Sequence, residues 1–356
     1  MQSVGPRTRA RRLESSIAAG AKAAGIAVPR YRDQFNRTIL LAALDRAVAA
    51  GRIRDYLVKG GAAIELRFGA AARTTRDLDV ELPAPLGDLP EAFAAALADA
   101  PGEFTFALRD DRREIREDAV RVSVIMRFAG NGWATIDVDL ATAADDTATD
   151  EIPIVAVEIP DAAARARTMR TEFLIAQKIH AILTPDETDY QYAYARHVVD
   201  VLFLARQTTI DEIRHACEAV FASRASASGR TWPPQAIGLP NRWQRDYGAT
   251  ITLYPDFPLN AADVPAAFAT LLIEVIGGPP PVPGYEYQFL VLKYHVGENP
   301  QDEAFGSPVD TRGVKYETFT NLAKKGFRVR TATEIGGRKD EAELLIVLER
   351  EIPENA

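Results

Sequence analysis

The sequence contains one cysteine, Cys217, which excludes a disulfide bond within the chain and is typical of a reducing compartment. No stretch of about 18 consecutive apolar residues is present, so we expect no membrane-spanning helix. The positive charge near the amino terminus is not followed by an apolar segment, which argues against a secretory signal. Basic residues are not in excess either, and the net charge of -8 weighs against indiscriminate binding of polynucleotides. These absences together predict a protein of the cytoplasm.

What the 356 residues do contain is ordinary for a globular protein, with 47% hydrophobic and 26% charged residues. A chain of this length can bury a sizeable core in two or three domains. The pattern predicts an α+β fold in which a mixed sheet is followed by a helical carboxy-terminal half. The predicted domains are an α/β core with a helical amino terminus at 1–160, a helical domain at 161–276, a proline- and glycine-rich linker at 277–284, and a small α+β module at 285–356.

In the predicted carboxy-terminal module, the order of elements is strand, helix, strand, strand. The first strand is predicted at 285–295 and the helix at 316–325. A strand at 327–333, a Gly-Gly turn and a strand at 344–350 complete the module. This segment contains no catalytic constellation, so a binding or dimerising role is predicted for it.

Residues 58–82 contain the strongest functional signal in the sequence. A short apolar strand leads into Gly60-Gly61, which we interpret as a tight turn before a helix that opens at Ala62. The run that follows alternates, so Asp77 and Asp79 leave the same face of a strand. Two adjacent carboxylates repel each other unless a cation lies between them. A solvated strand face would show the same Asp-x-Asp pattern, and the combination with the glycine pair makes the functional interpretation more specific.

The chemistry of residues 58–82 matches a metal and phosphate site. Mg²⁺ prefers oxygen ligands and usually takes one or two carboxylates together with substrate phosphates, which fits Asp77 and Asp79. The helix that starts after Gly60-Gly61 offers free backbone N–H groups to a phosphate. Lys59 lies just before the glycines and could add a positive charge. The sequence therefore predicts metal-dependent nucleotidyl transfer.

The strand, glycine pair, helix and Asp-x-Asp strand together resemble the signature of the polymerase-β-type nucleotidyltransferase superfamily. Within that superfamily, KGG followed by ARTTRDLDV resembles the AbiEii/AbiGii family of nucleotidyltransferase toxins, found in abortive-infection and toxin–antitoxin loci. One residue departs from the pattern, because many superfamily members have Ser or Thr where this chain has Ala62. A hydroxyl contact to a phosphate must therefore come from another residue or be absent.

A third carboxylate is implied by the resemblance, since superfamily enzymes generally use one on a neighbouring strand to activate the attacking hydroxyl. The predicted strand at 133–140 carries Asp137 and Asp139 on a shared face. We favour Asp137 as the third metal ligand or base, with Asp139 as the alternative. Two exposed acids on an edge strand would give the same pattern.

The helical half contains two weaker matches to the same family. The segment TEFLIAQKIHAIL resembles the family's second motif, a helix whose lysine contacts the nucleotide phosphates, and this places Lys178 in that role. YARHVVDVL resembles a Lys-Asp-x-x-Asp-Leu segment in which Asp200 matches the second acid, whereas His197 replaces the first. Asp200 borders an apolar stripe, so a partner such as Lys178 or Arg196 would reduce the cost of its burial.

The resemblance implies an enzyme that transfers a nucleoside monophosphate from an NTP to RNA, such as a tRNA end, as a toxin or phage-defence effector paired with an antitoxin. In this reading Asp77, Asp79 and Asp137 hold Mg²⁺, while Lys59, Gly60, Gly61 and Lys178 hold the triphosphate. One alternative is a non-catalytic nucleotide-binding or interaction protein on the same fold, favoured by Ala62 and His197. Another is an enzyme that modifies a small molecule or a protein.

Overall fold

The computed structural model describes residues 5–75, 77–83, 88–116, 119–143, 149–153, 165–183, 191–228, 232–233, 236–237, 244–277, 285–295, 325, 327–338 and 341–351. The chain forms two compact units. The first is Met1–Arg170 with Leu253–Asp256, and the second is Thr171–Thr252 with Phe257–Ala356. Within these described ranges, no helix is both long enough and apolar enough to cross a membrane.

Two helices open the first unit, α1 (Pro6–Ala24) and α2 (Val28–Ala49). A proline lies in the first turn of each helix, where its missing N–H costs no hydrogen bond. Residues 35 to 44 of α2 are all buried. A helix buried on all sides lies in the interior of its domain. The two helices confirm the helical amino terminus that the sequence predicts.

The first unit is built on an eight-stranded mixed sheet. Its strands are β1 (Leu57–Lys59), β2 (Leu78–Leu82), β3 (Phe104–Leu108), β4 (Arg113–Arg116), β5 (Ala119–Phe128), β6 (Asn131–Thr142), β7 (Thr149–Pro153) and β8 (Arg165–Met169). The order across the sheet is β3-β5-β6-β2-β1-β8-β7, and β4 also pairs with β5. β2 with β6 and β1 with β8 are parallel pairs, and the others are antiparallel. This mixed sheet with helices confirms the predicted α+β class.

Further helices of the first unit connect the strands. α3 (Gly60–Phe68) follows β1, and α4 (Leu89–Ala96) lies between β2 and β3. Helices α2 and α4 both contact β6. One face of the central strands is apolar and fully buried, with Val80 and Val138 at 0% exposure. The polar residues that alternate with them point to the other face.

The structure corrects two predictions in this unit. Helix α3 begins at Gly60 and not at Ala62, because Gly60 makes the turn alone with a left-handed backbone (φ +63°) and Gly61 is already helical. Residues after 160 were predicted to be helical, but Arg165–Met169 is strand β8. Its sequence has no run of β-branched or aromatic residues, and it forms a strand through its pairing with β7 along its whole length and with β1 at Thr168.

The second unit contains five of the described helices and a second sheet. The helices are α5 (Thr171–Leu183), α6 (Gln191–Leu204), α7 (Ile210–Ser228), α8 (Gln244–Ile251) and α9 (Val264–Ile276). α5 packs against α6 and α7, and α6 also contacts α8 and α9. Gly277 ends α9 in a left-handed conformation (φ +87°). The helical segment predicted at 161–276 is thus observed from Thr171 onward, in the described residues.

The second sheet contains β9 (Ala236–Ile237), β10 (Tyr285–His295), β11 (Arg328–Arg338) and β12 (Glu341–Glu351), in the order β11-β12-β10-β9. β10 to β12 confirm the three strands predicted after residue 284. The predicted Gly-Gly turn is wrong, because Gly336 and Gly337 lie inside β11, beyond a bulge that follows Glu334. The predicted helix up to residue 324 and the linker after Gly277 lie outside the described residues. The assignment of 285–356 as a separate module stays a prediction.

Candidate active site

Two adjacent strands of the first unit bring the predicted carboxylates together. β2 and β6 are parallel neighbours, and their register places Asp79 directly beside Asp139. Asp77 precedes β2 by one residue, and Asp137 lies two residues before Asp139 on β6. Since residues two apart on a strand share a face, the four carboxylates lie on one side of the sheet. The prediction that the second acidic strand lies beside the first is confirmed.

A cation that was not predicted from the sequence lies among these acids. Arg121 is on β5, opposite Asp139 on β6. Its Nε donates to Asp139 Oδ1 (2.6 Å) and its Nη2 donates to Asp139 Oδ2 (2.8 Å). Nη2 is also 3.5 Å from Asp77 Oδ2. The hydrogen bond to Asp139 is the main cause that raises the pKa of Arg121, and the charges of Asp139, Asp77 and Asp137 add to it.

Asp137 has a different environment from Asp139. Its neighbour across the strand pair is Ser123, whose Oγ donates to Asp137 Oδ1 (2.9 Å). The residue is exposed, whereas Asp139 is half-buried. Asp77 and Asp139 therefore contact the same guanidinium, and Asp137 contacts a neutral hydroxyl on the neighbouring strand.

Gly60 lies directly against the acidic face. A Cβ at Gly60 would lie 2.9 Å from Asp79 Cγ and closer still to the carboxylate oxygen Oδ2. The left-handed φ of Gly60 adds strain for any other residue. Glycine at this position therefore lets the start of α3 approach Asp79, and the predicted glycine and carboxylate motifs form a single site.

The hydroxyl missing at Ala62 has a counterpart in Thr75. Ala62 is fully buried, so it offers nothing to a ligand. A Cβ on Gly61 would lie 2.9 Å from Thr75 Oγ1 and 3.1 Å from Arg73 Nη2. A hydroxyl and a guanidinium thus lie over the first turn of α3. Neither residue was predicted as part of the site from the sequence, although both stand within the same ARTTRDLDV segment.

Lys59 lies on the same face, since it is the partner of Asp79 in the antiparallel pairing of β1 with β2. Its ammonium forms an ion pair with Glu81, which is two residues after Asp79. Only 15% of the Lys59 side chain is exposed. The structure therefore places Lys59 at the predicted site with an acidic partner.

A buried carboxylate holds the loop that leads to Asp77. Glu65 on α3 accepts hydrogen bonds from Arg30 Nε (3.2 Å), Gln34 Nε2 (3.1 Å) and Arg37 Nη1 (2.5 Å) of α2. The backbone N–H of Thr75 also points to Glu65 Oε2 (3.4 Å), and Arg37 Nη2 donates to the Thr75 carbonyl (2.6 Å). The Arg37 and Glu65 side chains are 5% and 2% exposed. This network fixes Thr75, two residues before Asp77, against α2 and α3.

In the second unit, Lys178 of α5 and Asp200 of α6 form a buried ion pair. The distance from Lys178 Nζ to Asp200 Oδ2 is 2.7 Å, and the two side chains are 7% and 0% exposed. The structure thus pairs Asp200 with the first of the two partners proposed from the sequence. The pair accounts for the charge of Asp200 in an apolar helical interface, and it leaves the role of Lys178 toward a nucleotide as a prediction.

We predict that Lys178→Met destabilises the protein by about 3–5 kcal/mol, because the Asp200 carboxylate stays buried without this cation. The double variant Lys178→Met, Asp200→Leu should lose less stability than Lys178→Met, because it removes both charges. Urea unfolding followed by circular dichroism measures both changes. A double variant that is less stable than Lys178→Met would contradict this account of the pair.

The carboxylate face has the donor atoms that a hard divalent cation requires. Asp77, Asp79 and Asp139 supply oxygen atoms alone, which suits Mg²⁺. In the part of the chain that the structure describes, no three His, Cys, Asp or Glu side chains are grouped closely enough to hold a metal ion. Arg121 contacts two of these carboxylates and thus shows that a cation fits between them. The chemistry of these donors therefore fits a divalent metal, and both the guanidinium and the carboxylates must move to enclose one.

A glycine-started helix beside carboxylates on adjacent strands is the arrangement expected of a nucleotidyltransferase. A family model described as "Nucleotidyl transferase AbiEii toxin, Type IV TA system" matches residues 41–281. The chain belongs to the AbiEii family of nucleotidyltransferase toxins. This confirms both the family resemblance and the prediction of a nucleotidyltransferase.

The chain is also similar to solved structures at low sequence identity. MenT4, a nucleotidyltransferase toxin from Mycobacterium tuberculosis, is 15% identical, with 73% of this chain and 98% of that chain covered and a TM-score of 0.44. The antibiotic-resistance factor ANT(2'')-Ia is 17% identical, with 54% of this chain and 94% of that chain covered and a TM-score of 0.33. No curated protein sequence matches the chain.

Proposed function

We propose that this protein transfers a nucleoside monophosphate from an NTP to an acceptor at the acidic face of the first sheet, with a divalent metal held by Asp77, Asp79 and Asp139. The observation that carries the proposal is the register of β2 and β6, which sets Asp79 beside Asp139 and next to the start of α3. Membership in the AbiEii family supports the reaction class.

In the proposed site, the chain binds the triphosphate mainly through the start of α3. The backbone N–H groups of the first helical turn are free to bind phosphate oxygens. Thr75 Oγ1 and the Arg73 guanidinium lie over the same turn and add side-chain donors. A bound divalent cation supplies charge neutralisation and orientation of the reacting phosphate. The protein residues then act by positioning and by charge, with no covalent intermediate.

The contacts favour Asp139 over Asp137 as the third carboxylate, which changes the preference drawn from the sequence. Asp77 and Asp139 already share one cation, Arg121. Asp137 is bonded to the Ser123 hydroxyl and is two residues further from the Asp79 register position. Asp137, the residue preferred from the sequence, becomes the alternative third ligand or base, and its substitution separates the two assignments.

For the acceptor we propose RNA, such as a tRNA end, and for the biological role a toxin or phage-defence effector controlled by an antitoxin. The type IV toxin–antitoxin description of the family supports an antitoxin partner and an NTP substrate. The net charge of -8 favours the second candidate, a small-molecule or protein acceptor, because long RNA contacts are strongly electrostatic. Lys178 is proposed as an additional phosphate ligand on the family resemblance.

The acceptor test uses purified full-length protein, Mg²⁺, each α-labelled NTP, and either total bacterial RNA or RNA-free cell extract. The proposal predicts label in a discrete RNA band, sensitive to ribonuclease and abolished by EDTA. Label in a protein or a small molecule would replace RNA with the second candidate acceptor. No label in any fraction would contradict nucleotidyl transfer to cellular acceptors.

A further inference from the structure

Arg121 is the cation that two of the site aspartates contact, and it differs from the structural arginines of the same unit. Its guanidinium binds both carboxylate oxygens of Asp139 and approaches Asp77. Such a bidentate arginine–carboxylate pair is among the stronger polar contacts in proteins. The contact joins acids from two strands, β2 and β6, that would otherwise repel each other.

The exposure of Arg121 indicates that this contact can open. Its side chain is 37% exposed, and those of Asp77 and Asp139 are 47% and 21% exposed. The structural pair of Arg37 and Glu65 is only 5% and 2% exposed. A half-exposed guanidinium can rotate into water and regain hydration, whereas a buried one cannot. Arg121 therefore pairs with both acids while its own side chain is not buried in the core.

Lys59, another cation on this face, does not replace Arg121. Lys59 lies beside Asp79, but its ammonium is paired with Glu81. The next residue of β5 on the same face as Arg121 is Ser123, which is neutral and donates a hydrogen bond to Asp137. Among these described groups, Arg121 is the positive charge placed against both Asp77 and Asp139.

We propose that Arg121 is a displaceable counter-ion, which neutralises Asp77 and Asp139 in the metal-free protein and must leave them before a divalent cation binds. This inference rests on the proposed function of the same site. The guanidinium and the metal compete for the same carboxylate oxygens, so Arg121 weakens metal affinity and stabilises the metal-free fold. Metal binding therefore breaks the ion pair between Arg121 and the two aspartates.

The test compares wild-type protein, Arg121→Gln and Arg127→Gln, with no nucleotide present. Arg127 is exposed on the same strand, about 20 Å along β5 from Arg121 at about 3.3 Å per residue, and its substitution changes the net charge equally. Mn²⁺ binding is read from the electron paramagnetic resonance signal of the free ion. Arg121→Gln should bind Mn²⁺ at least about tenfold more tightly than wild type, because a competing charge within contact distance is removed. Arg127→Gln should match wild type.

Thermal unfolding of the same variants provides a second measurement. In EDTA, Arg121→Gln should unfold at a lower temperature than Arg127→Gln, and saturating Mn²⁺ should remove the difference. The added substitution Asp139→Asn should restore stability in EDTA, because one of the repelling charges is gone. Failure of Asp139→Asn to restore it would contradict the counter-ion role.

Equal or weaker Mn²⁺ affinity in Arg121→Gln overturns the proposal. If wild type still transfers nucleotides in a metal-dependent manner, that result removes the counter-ion role and leaves the proposed function intact. If neither protein binds Mn²⁺ and transfer is insensitive to EDTA, both the counter-ion role and the metal-dependent function are overturned. The binding and transfer assays thus separate the two failures.

Discussion

Asp79→Asn is expected to lower the rate of nucleotidyl transfer by about a thousandfold, comparable to the loss of a central electrostatic group in other enzymes. Asp79 lies beside Asp139 in the strand register and contacts the glycine at the start of α3. It therefore connects the proposed metal ligands with the proposed phosphate site. Initial rates with a saturating α-labelled NTP measure the effect. Asp111→Asn, an exposed acid on the same unit, serves as the charge-matched control.

The folded state should tolerate this substitution, because Asp79 belongs to a cluster of like charges whose repulsion is reduced in the variant. An unchanged or raised melting temperature would show that the lost activity comes from the site. A variant that retains the wild-type rate would remove Asp79 from the proposed chemistry.

The same assay separates the two candidates for the third carboxylate. Asp139→Asn should lose activity to a similar degree as Asp79→Asn, because Asp139 shares its cation with Asp77. Asp137→Asn should lose less, since its described bond is to Ser123. The opposite order would restore Asp137 as the third ligand or base.

Glu65→Ala is expected to destabilise the protein by about 3–5 kcal/mol, because it leaves the Arg37 guanidinium buried without its carboxylate. Arg30 and Gln34 lose the same acceptor, and the backbone N–H of Thr75 loses its side-chain contact. The loop before Asp77 should then loosen, so activity should fall as well. Urea unfolding measures the stability, and hydrogen exchange at residues 72–75 measures the loop.

Glu14→Ala is the matched control for Glu65→Ala. Glu14 also pairs with an arginine of α2, Arg32, but the two side chains are 51% and 39% exposed. Exposed pairs of this kind contribute about 0–1 kcal/mol. If Glu65→Ala cost no more than Glu14→Ala, the buried network would not be what positions the loop.

Local patterns in the sequence predicted several residues of the candidate site. Strict alternation placed Asp77 with Asp79 and Asp137 with Asp139, and the apolar spacing of the same segments predicted that they lie in one sheet. Parallel pairing of the two acidic strands followed from neither pattern. It depends on the crossover between β2 and β6, so the proposed preference for Asp139 over Asp137 rests on the register.

The residues that were missed act through long-range contacts. In the sequence, nothing distinguishes Arg121 from other polar residues of an alternating strand. Its contact with Asp139 depends on the pairing of β5 with β6. Glu65 and Arg37 lie in segments that read as ordinary amphipathic helix, and their pairing joins residues 28 apart. Strand β8 has low strand propensity, and its pairing with β7 and β1 stabilises it in the sheet. Such contacts are set by tertiary packing and leave no local signature.

The pair of Lys178 and Asp200 was the long-range contact that the sequence did suggest. The signal was energetic, since an acid beside an apolar helical stripe needs a cation. Lys178 lies on the next helix upstream and meets it at 2.7 Å. The cost of burying the Asp200 charge predicted the contact, and the family resemblance implies the proposed role of Lys178.

The most direct test of the central claim follows the position of the label in the NTP. Wild-type protein is incubated with the preferred NTP, labelled at either the α or the γ phosphate, together with RNA and Mg²⁺, beside an Asp77→Asn, Asp79→Asn variant. Nucleotidyl transfer predicts that α label enters the acceptor, that γ label appears only in pyrophosphate, and that the variant loses both. Gamma label in the acceptor would show phosphoryl transfer, and a variant as active as wild type would show that the carboxylate face is not the site.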